Sequence, residues 1–202
     1  MIEQNINKYE IMAPVGSQES LQAAIQAGAN SVYFGIGQLN MRSHSANHFT
    51  IDDLREIAFT CKQHDIKTYL TVNTVIYDED IKMMHCIVEA AKEADITAII
   101  ASDVAVMTYC NSLGVEVHLS TQLNISNVEA IKFYARFADV VVLARELNMD
   151  QVAEIHRQIT EQHIVGPRGA LVRIEMFCHG ALCMAVSGKC YLSLDHTARS
   201  AN

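Results

Sequence analysis

Residues 98–144, AIIASDVAVMTYCNSLGVEVHLSTQLNISNVEAIKFYARFADVVVLA, contain three short apolar runs separated by two longer amphipathic stretches. The runs at 98–102, 116–120 and 139–144 are rich in Ile and Val and end in polar residues or Ala, the pattern of buried strands. Between them, 103–112, which opens on Asp103 as a candidate cap, and 127–137 predict helices. Strand, helix, strand, helix, strand at this spacing is the signature of a parallel sheet, because parallel neighbours need a crossover.

The same alternation continues in both directions. Towards the N-terminus, 10–13 reads as a strand running into Pro14-Val15-Gly16, followed by a helix that Ser17 caps with Ser20 in its first turn and that Gly28 stops. A strand at 31–36 ends in Gly35-Ile36-Gly37, and a polar loop at 38–49, of a length that tends to carry function, leads to a helix starting near Thr50. A strand at 67–73 precedes a helix at 79–94. Towards the C-terminus a helix around 148–160 precedes a seventh strand at about 170–177. Seven units wound in one direction predict an α/β fold, a (β/α) TIM-barrel-like domain with about seven parallel βα units and an incomplete C-terminus. An open doubly wound sheet is the alternative. The chain ends in Arg199-Ser200-Ala201-Asn202 without a helix to cover the edge of the first strand, so residues 1–202 are expected to be one truncated domain. Either the remaining C-terminal portion or a second copy of the chain is expected on the open edge.

A chain of 202 residues that is 50% apolar can build one large core. Its net charge of −8 opposes a phosphate backbone, so RNA binding would need a local basic patch. MIEQNINKYE has neither a basic start nor an apolar run and predicts a cytoplasmic protein, and no stretch is apolar enough to span a membrane.

Catalytic groups of such barrels project from the C-terminal ends of the strands. That rule selects Arg42, Asn73, Asp103, Gln122, Asn124, Arg145, Glu146, Glu175 and His179. Asn73, Asp103 and Ser120 also fit as caps and loop hydrogen-bond partners. Arg145 and Glu146, directly after an apolar strand, have two readings: an ion pair closing the barrel mouth, or a guanidinium aimed at a carboxylate or phosphate substrate. His118, inside VHLST, reads as a core histidine pointing into the barrel.

Of six cysteines, Cys61, Cys86 and Cys110 are isolated on helical patterns, whereas Cys178, Cys183 and Cys190 cluster beside His179. Gathered thiolates suit zinc or an iron–sulfur cluster, although the spacing matches neither zinc ribbons nor the ferredoxin run, and buried structural cysteines are the alternative. A nucleophilic Cys183 or Cys190 with His179 as base is a further reading. G-x-S-x-G, H-E-x-x-H and P-loop motifs are absent.

Several separated motifs, in order, resemble the U-32 peptidase family of collagenase-like proteins: IMAPVGSQESLQAAIQAGANSVYFG at 11–35, TYLTVNTV at 68–75, VHLSTQLNISN at 117–127, VVLAREL at 141–147 and EMFCHGALCMAVSGKCYLS at 175–193. The resemblance implies a TIM-barrel-like N-terminal domain of a longer protein. It also implies two kinds of activity, since members labelled peptidases stand beside iron–sulfur proteins of RNA hydroxylation, which use prephenate, and of ubiquinone hydroxylation. In those iron–sulfur members four cysteines bind a [4Fe–4S] cluster. By resemblance Cys183 and Cys190 occupy the first two ligand positions, the others falling beyond Asn202, while Cys178 departs from the pattern and is either a substitute ligand or a buried small side chain. Glu175, His179, Gly180, Ser187, Gly188 and Ser193 match the family pattern. The leading expectation is hydroxylation of RNA or a small molecule, with Arg42, Asn73, Gln122 and Asn124 binding substrate and Glu175, His179, Arg145 and Glu146 as catalytic candidates. A peptidase, with zinc or no cofactor, and a ligand-binding barrel without turnover are the alternatives.

Overall fold

Seven parallel strands follow one another around the sheet in chain order: β1 (Met12–Pro14), β2 (Ser31–Gly35), β3 (Lys67–Val72), β4 (Ala98–Ala101), β5 (Val117–Leu119), β6 (Val140–Val142) and β7 (Arg173–Glu175). The computed structural model describes residues 9–37, 39, 49–180 and 186–187. A doubly wound sheet would reverse its strand order at the centre, and this one does not. The result is a curled, TIM-barrel-like α/β sheet, with β1 and β7 at its two edges among the described residues.

Among the described residues six α-helices make the crossovers: α1 (Gln18–Gln26), α2 (Ile51–Gln63), α3 (Ile81–Glu93), α4 (Val104–Leu113), α5 (Val128–Tyr134) and α6 (Met149–Glu161). Their starts follow from side chains that satisfy the orphan amides of the first turn. Ser17, Thr50 and Asn148 form reciprocal capping boxes with Ser20, Asp53 and Gln151. Asp103 and Asn127 cap α4 and α5 by accepting from Ala105 and Ala130. Several helix exits also share one device, a left-handed residue that turns the chain back into the next strand: Asp65, Asp95 and His163 at φ of 54°, 59° and 52°, and Gly114 at 72°.

Alternation along each strand then separates two cores. Val32, Phe34, Leu70, Val72, Ile99, Val117, Leu119 and Val141 face the helices in one continuous apolar cluster with Leu21, Leu54, Ile57, Val88 and Met107. Each such side chain contributes about 1.5–3 kcal/mol on burial. The opposite faces turn into the barrel, where Tyr69, Ala98 and Ile100 pack with Met12 and Tyr33. Register joins Tyr33 to Tyr69, Tyr69 to Ala98, Ile100 to His118 and His118 to Val140, so the inward side chains form successive layers.

The expected elements are all present; β2 to β7 are shorter than expected, and β1, expected at 10–13, is shifted to Met12–Pro14. One local feature was not foreseen: the link between α6 and β7 folds through an antiparallel bridge, Val165 with Leu171.

Candidate functional site

The polar inward residues come from strands whose other residues are apolar. Glu116 and His118 stand two apart on β5 and the residue leading into it, and Arg173 and Glu175 stand two apart on β7, so each pair lies on the same inner face.

At the N-terminal end of the strands, Glu116 is the anchor. Its Oε2 lies 2.9 Å from Nη1 of Arg168, Nη2 of Arg173 donates to its Oε1, and Nε2 of His118 lies 3.1 Å from the same Oε1. Burial alone would raise the Glu116 pKa, but His118, Arg173 and Arg168 draw it down to about 2. A second acid, Glu10, lies 2.5 Å from Lys67 Nζ and accepts the Tyr69 hydroxyl proton at 2.5 Å. The Tyr69 ring packs on the His118 ring with centroids 4.6 Å apart.

His118 sits above this base, 2% exposed. Burial pushes its pKa down against the pull of Glu116, so the ring is held neutral. Its Nδ1 has no hydrogen-bond partner, and Oε2 of Glu175 lies 3.9 Å away. Glu175 ends β7, and burial, reinforced by the negative charge of Glu10, pushes its carboxyl up to about 7. A carboxyl poised there exchanges protons near neutral pH, which is what a general acid or base requires.

The C-terminal mouth is lined by amides and hydroxyls. Asn73 Nδ2 donates to Ser120 Oγ at 3.2 Å and to Gln122 Oε1 at 3.3 Å, Ser120 Oγ donates to Gln122 Oε1, and Ser102 Oγ donates to the Asn73 carbonyl at 2.8 Å. Gln122 Nε2 is buried without a partner. Asn73 and Gln122 are thus joined to each other at the strand ends. Asn124, at φ 51°, instead ends the 3₁₀ turn Thr121–Leu123.

Arg145 and Glu146 clasp a third residue. The Arg145 backbone N–H and Nε donate to Ser187 Oγ at 3.3 and 3.2 Å, and the Ser187 backbone N–H donates to Glu146 Oε1 at 2.8 Å. No ion pair joins Arg145 to Glu146 among the described residues, so the mouth-closing reading gives way to an anchor for the segment after β7. Burial opposes the Glu146 charge, but the Ser187 hydrogen bonds and Arg145 hold its carboxyl below the usual value.

Cys178 and His179 are exposed, which removes the buried reading of Cys178. Cys183, Cys190 and Arg42 lie outside the described residues. Among those described, no group of three His, Cys, Asp or Glu side chains is placed to hold a metal ion. Cys61 and Cys110 are buried on helices, and burial raises their thiols to about 11 and about 12, out of reach of nucleophilic chemistry at neutral pH. No described helix is long and apolar enough to cross a membrane.

Sequence reasoning passed over Glu10, Tyr69, Glu116, Arg168 and Arg173 and assigned His118 to the core. The signal was present in E-x-H at 116–118 and R-x-E at 173–175: ionisable residues at a spacing of two in otherwise apolar strands share the inner face.

Known proteins place this architecture. Residues 16–202 match the model of peptidase family U32. The chain is 69% identical over 198 residues to a collagenase of Porphyromonas gingivalis, covering 98% of this chain and 48% of that protein. It is 34% identical to tRNA hydroxylation protein P1 of Bacillus subtilis, covering 96% of this chain and 44% of that one. The chain thus spans about half the length of these relatives. The structure of the U32 peptidase Mk0906 superposes with a TM-score of 0.62 at 11% identity, over 73% of this chain and 64% of that one, which speaks to the fold. With a family match over nearly its whole length and the same barrel architecture, the chain belongs to peptidase family U32.

Proposed function

We propose that this chain is the barrel portion of an iron–sulfur-dependent protein of RNA or small-molecule hydroxylation. The observation that carries the reading is Glu175: a protonatable carboxyl at the end of a barrel strand, beside a buried imidazole that no described hydroxyl or thiol hydrogen-bonds. Such a site suits proton movement on a bound organic substrate, whereas acyl transfer needs a nucleophile on the imidazole. The likeness to tRNA hydroxylation protein P1 along 96% of the chain supports it.

In this reading Cys183 and Cys190 contribute ligands to a [4Fe–4S] cluster, with Cys178 as a third candidate, and zinc as the alternative metal. When bound, such a cluster supplies electron transfer. Asn73 and Gln122, with Arg42 and Asn124, contact a small organic acid such as prephenate or an RNA base, and His179 is a further catalytic candidate. Residues 1–202 form one barrel domain of a cytoplasmic protein, whose further C-terminal portion or second copy covers the open edge.

The competing reading is a collagenase-type peptidase, favoured by the 69% identity to the Porphyromonas protein. Anaerobic purification of the full-length protein separates the two. Hydroxylation predicts iron and visible absorbance that vanish in a Cys183→Ala, Cys190→Ala variant, with no cleavage of gelatin. A colourless, iron-free protein that cleaves gelatin would overturn it.

A further inference from the structure

We propose that Glu116, His118 and Glu175 form a proton relay inside the barrel, in which Glu175 meets the substrate and His118 is the positioning residue that takes its proton on Nδ1. The inference rests on the reading of Glu175 as the group that faces substrate.

Orientation comes first. Glu116, held by Arg168 and Arg173, stays ionised and accepts from Nε2 of His118. A carboxylate there fixes the proton on Nε2 and leaves Nδ1 as a bare acceptor. The Tyr69 ring against the imidazole face holds its plane.

Need comes second. A buried acceptor left unpaired is costly, and native structures keep few of them. His118 Nδ1 is buried and unpaired, and Glu175 Oε2 is 3.9 Å from it. A modest rotation of the Glu175 side chain closes that gap, and only the protonated acid can donate across it.

Accessibility assigns the roles. The His118 side chain retains 3% of its surface and that of Glu175 retains 25%, so a ligand entering the mouth reaches Glu175 and not the imidazole. The relay step breaks the Glu175 O–H bond and forms the His118 Nδ1–H bond, giving a carboxylate and an imidazolium whose Nε2–H is held by Glu116. The carboxylate then takes a proton from a substrate hydroxyl or enolisable C–H group, and the reverse sequence returns it. The surrounding charges are Glu10, Lys67 and Arg168 at the N-terminal end, Glu116 on the histidine and Arg173 beside it, with the Tyr69 hydroxyl on Glu10. Glu10 disfavours the Glu175 carboxylate, Arg173 disfavours the imidazolium, and Glu116 and Glu10 favour it.

The test is a ¹⁵N NMR titration of the His118 ring between about pH 5 and pH 9, in the protein and in Glu175→Gln. The substitution is isosteric and mimics the neutral acid, so the fold is kept. The relay predicts a step in the Nδ1 shift as Glu175 titrates, lost in Glu175→Gln. The imidazole's own titration, displaced downward, is common to both proteins; a Nδ1 shift flat through pH 7 in the unsubstituted protein, or a step near pH 7 that survives in Glu175→Gln, overturns it. Substrate turnover unchanged in Glu175→Gln would overturn the underlying reading of Glu175 instead, and the two failures are therefore told apart.

Discussion

Nδ1 of His118 and Oε2 of Glu175 face each other at 3.9 Å inside the barrel, and no hydrogen bond closes the gap. The two residues stand on β5 and β7, strands that are not neighbours, so the approach spans the inner face of β6. It depends on the curl of the sheet as well as on either strand alone.

The first consequence is a pH dependence of stability. Burial and the charge of Glu10 raise Glu175 from the usual 4.5 to about 7, so between these values the folded chain holds a proton that the unfolded chain has released. The resulting stabilisation is fully present below about pH 4.5 and is lost as pH rises through 7, a difference on the order of 3 kcal/mol. Glu175→Gln removes it. His118, displaced downward, adds an opposite slope to both proteins, so the difference between them is the quantity to read. Urea unfolding at about pH 5 and pH 8 should show the unsubstituted protein losing stability relative to Glu175→Gln. Parallel behaviour of the two would contradict the raised carboxyl.

Glu116→Gln should destabilise without opening a cavity. Glu116 retains a tenth of its side-chain surface and neutralises two arginines that are about half exposed. Loss of one partner of a buried pair costs about 3–5 kcal/mol, and the exposure of both guanidiniums lowers the expectation to about 2 kcal/mol. Thermal unfolding at neutral pH checks it, and an unchanged midpoint would show the cluster to be energetically idle.

Gly166→Ala should be costly for a steric reason. A Cβ there would stand 2.5 Å from Asp139 Oδ1, 2.9 Å from the Ala138 carbonyl oxygen and 2.9 Å from the Asp139 Cα. Backbone atoms cannot step aside as a long side chain does, and Asp139 Oδ1 is also the acceptor for the Arg168 N–H at 3.1 Å. Overpacking of this kind costs about 1–3 kcal/mol, measurable by urea unfolding. A neutral effect would mean that the link from α6 to β7 sits differently.

Ser187→Ala removes the hydroxyl on which the Arg145 N–H and Nε converge, and should cost about 1–2 kcal/mol because Ser187 is fully buried. Glu146→Gln, which keeps an oxygen for the Ser187 N–H, should cost less. Hydrogen exchange at the Ser187 amide is the direct readout: faster in Glu146→Ala, close to unchanged in Glu146→Gln. Equal exchange in all three proteins would remove the anchoring role.

The barrel was legible because period and caps agree. Short runs rich in Val and Ile mark the strands, and the helices that Ser17, Thr50, Asp103, Asn127 and Asn148 open form where expected. Less was legible of the site. Arg145 and Glu146 were recognised as unusual, but their partner, Ser187, lies some forty residues on and only folding brings it to them. His118 was assigned to the interior and is there, yet its meaning depends on Glu175, two strands away, and on arginines that no local pattern ties to Glu116. The bridge of Val165 with Leu171 was invisible because a short hairpin with one pair of bridged residues leaves no period to read.

The most direct test of the account is a ¹³C NMR titration of the Glu175 side-chain carboxyl. A protonatable acid beside His118 predicts a midpoint near 7. A midpoint at the ordinary carboxylate value of about 4.5 would contradict it and leave Glu175 a spectator.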